Sequence, residues 1–285
     1  MKHKIENSFL RVEVKEMGAE LSSVFSKDAN FEYLWQGNPD IWYGQSPILF
    51  PIVGRLIDDK YTLGGKEYTM PKHGLARKRP FALQSATETE MIFVQSEDKK
   101  TLKAYPYKFD LIIKYMIQGK TLSVEHTVVN KNEDVMYFSL GAHPGFNCEI
   151  GDELEFEQNE TLDTEKIDLV ESLRIPKTTR VLTDSRAITI TEHIFDEDAL
   201  ILSGIKSSHV TLKSKNQGRT VKFTLGGAPY LGVWAKPGAP YVCIEPWFGV
   251  NDSYEKKADF SQKDQIQSIP AGGAFSFTWS AEVSG

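Results

Sequence analysis

The stretch TLSVEHTVV, residues 121–129, places Leu122, Val124, His126 and Val128 on one side of an extended chain and Ser123, Glu125 and Thr127 on the other. A period of two marks a β-strand with one face in a core, because successive side chains point to opposite faces. FLRVEV (residues 9–14) alternates in the same way, and KFDLIIKYMI, TVKFTL, YLGVWA, YVCIEPW and AFSFTWSAEV are further short runs rich in β-branched and aromatic residues. Between these runs lie turn signals: LGGKEY at 63–68, IQGK at 117–120, NKNED at 130–134, KNQG at 215–218 and KPGAP at 236–240. Strands at such spacing predict an all-β, antiparallel sandwich or barrel. Two segments, DTEKIDLVESL (163–173) and FDEDALIL (195–202), are expected to form a helical turn or two, too short to cross over a parallel sheet. KPGAP joins two strands rather than two domains, and no repeat or low-complexity segment divides the chain, so residues 1–285 are read as one domain.

That length suits an undivided β fold. Hydrophobic residues make up 40% and charged residues 25%, the composition of a soluble globular chain. The net charge of −6 comes with scattered Lys and Arg, which argues against a nucleic-acid partner or a polybasic membrane anchor. LARKRPF (75–81) reads as a solvated loop. The N-terminal MKHKIENSFLRVEV lacks the apolar core of a signal peptide, and no stretch approaches the roughly 18 apolar residues of a membrane helix. Cys148 and Cys243 show no CxxC spacing, so a cytoplasmic protein with reduced thiols is expected, one disulfide between them being left open.

Chemistry should reside where ionisable residues interrupt apolar, glycine- or proline-bounded strings. SPILFPIVGRL (46–56) ends by presenting Arg55, whose permanent charge needs a carboxylate, carbonyls or a polar ligand. A structural salt bridge answers that need as well as a substrate does. MPKHGLARKRPF (70–81) carries His73 before a glycine. GAHPGF (141–146) carries His143 before Pro144, which biases it towards an extended conformation, while Gly141 and Gly145 permit close backbone approach. A core histidine at a strand end is the plain alternative. YVCIEPWFGVND (241–252) buries Glu245 between an apolar run and Pro246, which must pair it or raise its pKa, as general bases near neutrality require. Trp247 and Phe248 offer aromatic surface for a sugar ring, or for a core cluster. His126 reads as a core residue, and His3, His193 and His209 lack supporting context. No HxH or HExxH spacing suggests a metal, GxGxxG and GxxxxGK[ST] are missing, and no GxSxG elbow supports serine hydrolysis.

Taken in order, PIVGRL, KHG, GAHPGF and EPWFG span nearly the whole chain and resemble the aldose 1-epimerase (galactose mutarotase) superfamily, in particular its LacX-type branch. The resemblance implies a large antiparallel β-supersandwich and a cofactor-free interconversion of the α and β anomers of a hexose. It implies Glu245 as the base at the anomeric hydroxyl and His143 as the acid at the ring oxygen, facing one another across the sugar. It implies Arg55 and His73 as residues that hold sugar hydroxyls or the ring-oxygen region, beside the aromatic surface read above for Trp247. A sugar-binding aspartate falls in FDEDALIL, where Asp198 is the choice and Asp196 and Glu197 compete. This chain departs from better-known galactose mutarotases in having GAHPGF instead of a longer Asn-His motif, and in lacking a histidine beside that aspartate. The expected partner is therefore a small carbohydrate. Two other readings remain beside it. A hexose 6-phosphate epimerase would use Arg77, Lys78 and Arg79 as phosphate donors, and a non-catalytic sugar-binding or regulatory module would keep the pocket alone. A glycosidase finds only one convincing acid, Glu245.

Overall fold

The computed structural model describes residues 1–255 and 257–285, and its strands pair antiparallel throughout. The alternation of the 121–129 stretch is realised in the strand Thr121–Asn130, where Leu122, Val124, His126 and Val128 are all buried. Its neighbours Phe109–Gln118 and Ala274–Ser284 alternate likewise, and the three strands pool their apolar faces. His126 lies opposite Phe277 and stacks on it with ring centroids 4.7 Å apart, so it is a core residue.

These strands belong to a 15-stranded sheet, accompanied by a four-stranded N-terminal sheet over Lys2–Glu6, Leu10–Lys15, Leu21–Ser26 and Phe31–Glu32. Folding such a sheet onto itself and its neighbour gives a β-sandwich whose buried cluster runs from Ile5 to Val283. The turn signals at 63–68, 117–120, 215–218 and 236–240 each connect adjacent strands. Both cysteines are buried and free, which closes the disulfide alternative.

The two expected helical segments are not helical. Residues 163–167 end the long strand Glu153–Ile167, and residues 195–199 are turns that lead into the strand Leu200–Ser203. Leading into the first segment, burial falls on Glu160, Leu162 and Thr164, every second residue, and pairing with Arg174–Thr189 satisfies the extended backbone. Thr161 and Asp163, between them, point away from that buried face.

The strand Tyr241–Phe248 is buried along nearly its whole length between Tyr230–Trp234 on one side and the short strands Leu140–Ala142 and Gly145–Asn147 on the other. That arrangement positions the site.

Candidate active site

The ladder between Tyr241–Phe248 and GAHPGF has a gap. Gly141 pairs with Trp247 and Gly145 with Cys243, the same register on both sides, so His143 falls directly opposite Glu245. Pro144 and Pro246 flank this position and have no N–H to give, which accounts for the interruption. Residues opposite one another on antiparallel strands share a face and approach closely. The outcome is a His143 Nε2 to Glu245 Oε1 distance of 3.3 Å, with both side chains almost fully buried. The two groups therefore lie side by side, not across a sugar ring as the motifs suggested.

The third strand completes the face. Glu245 lies opposite Gly232, and the Trp247 indole occupies the space a side chain at 232 would take: a Cβ there would meet Trp247 Cζ2 at 2.6 Å. Lying flat over Gly232, Trp247 turns back and donates its Nε1–H to Glu245 Oε2 at 3.1 Å. Beneath it Trp247 packs with Leu49, Val53, Ile167 and Ile201, so the 49–53 segment supports the Trp247–Glu245 contact from below.

Above the pair opens a cavity of about 420 Å³, within the range of small-molecule sites. Trp42 and Trp234 wall it, their rings 5.1 and 5.7 Å from that of His143. His73 reaches it through a backbone exchange: His73 N–H donates to Gly54 O at 2.7 Å, and Gly54 N–H donates to His73 Nδ1 at 3.2 Å. A ring nitrogen that accepts carries no proton, so neutral His73 is protonated on Nε2. Gly74 is required here, because a Cβ would lie 2.2 Å from the Phe50 carbonyl and φ is +74°. Asp196 and Asp198 both line the cavity. Asp198 accepts the Ala199 N–H at 2.7 Å, and Asp196 is 3.0 Å from His193 Nδ1. Glu197 points outward to Lys166.

Arg55 does not enter this cavity. Asp59 holds its guanidinium in a fork, at 2.9 and 3.2 Å, and the remaining donor binds the Glu171 carbonyl and carboxylate at 3.1 and 3.2 Å. It ties down the 168–172 loop, whose Leu169 is on the cavity rim. The salt-bridge answer to its charge is the one the structure adopts. Arg77 takes a place in the cavity instead, with Lys72. Arg77 donates to the Lys72 carbonyl at 3.1 Å, its Nε is buried without a partner, and no carboxylate among the described residues pairs with it. Lys78 and Arg79 stay outside, Arg79 on Asp98.

Burial sets the protonation of the pair. It pushes Glu245 well above the usual carboxylate range, opposed by the Trp247 hydrogen bond and reinforced by Asp198. It pushes His143 down to about 3, with the positive charges of Arg77 and Lys72 adding to the effect. His73 is depressed too, by burial and by His143, Lys72 and Arg77. Trp42, Trp234, Lys72 and Asn251 line the cavity without having been singled out from the motifs. A usable signal existed for Trp234, which shares the face of Gly232 at strand period two. Trp42 and Lys72 come from loops whose fold no local pattern specifies.

The family model for aldose 1-epimerase matches residues 1–264. The LacX protein of Lactococcus lactis is 32% identical over 284 residues, covering 93% of either chain. A galactose mutarotase-related enzyme from Lactobacillus acidophilus superposes with a TM-score of 0.95 at 31% identity, over 100% of this chain and 98% of its own. A galactose mutarotase-like protein from Lactobacillus casei gives 0.94 at 29% identity, with all of both chains covered.

Proposed function

The chain belongs to the aldose 1-epimerase family, and on that premise we propose that it interconverts the α and β anomers of a hexose, with Glu245 as general base and His143 as general acid. The observation that supports these roles is the buried pair 3.3 Å apart at the floor of the cavity. Mutarotation acts on the anomeric hydroxyl and the ring oxygen, which are bonded to the same carbon, so acid and base must be close neighbours. Glu245 takes the hydroxyl proton as His143 delivers one to the ring oxygen, and the C1–O5 bond opens to the aldehyde. Rotation about C1–C2 and the reverse transfers close the ring on its other face. Burial leaves the pair's one exchangeable proton on Glu245; its transfer over 3.3 Å to His143 Nε2 sets up the working carboxylate and imidazolium, and the open-chain state returns both groups to the neutral form that burial favours. Each positioned acid or base contributes about 10²–10⁴-fold. Trp247 stabilises the carboxylate, while Asp198 and the Nε2–H of His73 offer polar contacts to sugar hydroxyls between the walls of Trp42 and Trp234.

A second reading has its own support: Arg77, with Lys72 beside it, brings a positive charge without a carboxylate partner into the cavity, as a 6-phosphorylated hexose would need. Exchange NMR over a panel of free aldoses and their 6-phosphates tests both. Anomer exchange above the spontaneous rate, lost in Glu245→Gln and in His143→Asn with the fold intact, is the expected result. Competition by inorganic phosphate selects the second reading, and no acceleration anywhere in the panel refutes both.

A further inference from the structure

One side chain on the catalytic face has no part in these proton transfers. Cys243 stands two residues before Glu245 on the same strand, so its side chain shares the face of Glu245, and it is fully buried. Its Sγ, a ring nitrogen of His143 and a carboxylate oxygen of Glu245 lie within 4.8 Å of one another.

We infer that Cys243, Glu245 and His143 form a site for a single zinc ion, whose binding halts the proton relay by occupying both of its ends. Zinc takes thiolate, imidazole and carboxylate ligands at about 2.0–2.3 Å in a tetrahedron, which sets its ligand atoms roughly 3.3–3.8 Å apart. The His143–Glu245 distance of 3.3 Å already meets that spacing. The widest separation of 4.8 Å has to close by about 1 Å. The fourth position opens on the cavity that His143 and Glu245 line, leaving room for a water. Charge balance favours the exchange. Without metal, the site holds a thiol and a carboxyl–imidazole pair sharing one proton, net zero. With zinc, a thiolate, a carboxylate and a neutral imidazole again sum to zero, and two protons leave to solvent, one from the thiol and one from the pair. Burial therefore does not oppose the ion as it opposes an isolated charge. Thiolate and imidazole donors select zinc over magnesium or calcium. Ligand-spacing motifs miss this set, because His143 comes from the gap between the two short neighbouring strands, about a hundred residues away in sequence.

Titration of the chelator-treated protein with cobalt(II), then zinc, tests the site. One ion per chain is expected, giving a thiolate-to-cobalt charge-transfer band that zinc displaces. Cys243→Ser should lose the band and bind zinc at least tenfold more weakly. Cys148→Ser should keep it, and this variant decides the matter if Cys243→Ser does not fold. Absence of the band, its survival in Cys243→Ser or its loss in Cys148→Ser overturns the proposal. The optical titration is independent of the epimerase reading. Zinc should also stop anomer exchange in an active preparation, and stoichiometric zinc that leaves exchange running overturns the placement of the site.

Discussion

Gly232→Ala tests how Glu245, the proposed base, is held. The added Cβ would meet Trp247 Cζ2 at 2.6 Å and Cε2 at 2.9 Å, closer than carbon atoms tolerate. The indole cannot slide freely the other way, because it is packed with Leu49, Val53, Ile167 and Ile201. To restore van der Waals contact the ring must lift by roughly 1 Å, and its 3.1 Å bond to Glu245 Oε2 lengthens out of range. A hydrogen bond to a charged group is worth about 1.5–3 kcal/mol, so loss of carboxylate stabilisation should lower kcat about 10- to 150-fold. Trp247→Phe removes the same donor without backbone strain and should fall in the same range. The double variant should be scarcely worse than Trp247→Phe alone, since both changes remove one interaction. Polarimetry on freshly dissolved α-glucose or α-galactose, or exchange NMR on whichever sugar proves active, supplies the rates, with thermal unfolding as the check on the fold. Full activity in Trp247→Phe, or additive losses in the double variant, would refute the reasoning.

Further outcomes follow from other parts of the structure. Arg55→Ala breaks a partly exposed ion-pair network, worth up to about 1 kcal/mol, and should change kcat/KM by no more than about fivefold; a hundredfold loss would return Arg55 to the sugar. Arg77→Met should raise KM for a 6-phosphorylated hexose by at least about tenfold while sparing the free sugar, which steady-state kinetics on both will show. Buried His126 has its pKa pushed down to about 3, against about 6.5 unfolded, so the unfolded state binds the extra proton as pH falls. Its stabilising contribution is complete above pH about 6.5 and declines towards pH 3, at up to about 1.4 kcal/mol per pH unit. Urea unfolding across this range should show a shallower acid-side slope in His126→Leu, and an unchanged slope would remove His126 from the account.

The strands were legible because half-buried sheets write their burial into sequence at period two, as Thr121–Asn130 and Phe109–Gln118 do. The segments at 163–173 and 195–202 misled because each mixes acidic and apolar residues over a short run: the first continues a strand as far as Ile167, and in the second Asp196, Glu197 and Asp198 form the turn before Leu200–Ser203. In the site, GAHPGF and EPW announced their constraints through proline and glycine, but not the shared register that sets His143 opposite Glu245. That fact belongs to strand pairing and is invisible in either segment alone. Arg55 was ambiguous for a related reason: a permanent charge at the end of an apolar run demands a partner, and only the fold shows that Asp59 and Glu171 supply it.

The gap that Pro144 and Pro246 open in the ladder divides labour within the molecule. The His143–Glu245 pair, proposed to transfer the protons, is set by strand register, and strand register tolerates no gradual drift, since a slip of one residue would send Glu245 to the opposite face. Apart from Trp234, which ends a strand, the walls of the cavity come instead from separate connecting segments carrying Trp42, Lys72, His73, Arg77, Leu169 and Asp198. Loops accept insertions and substitutions that strands do not. Sugar preference can therefore be redrawn in these loops, natural or engineered, while the chemistry beneath them stays untouched, and a graft of residues 70–81 from a relative is the natural unit of exchange.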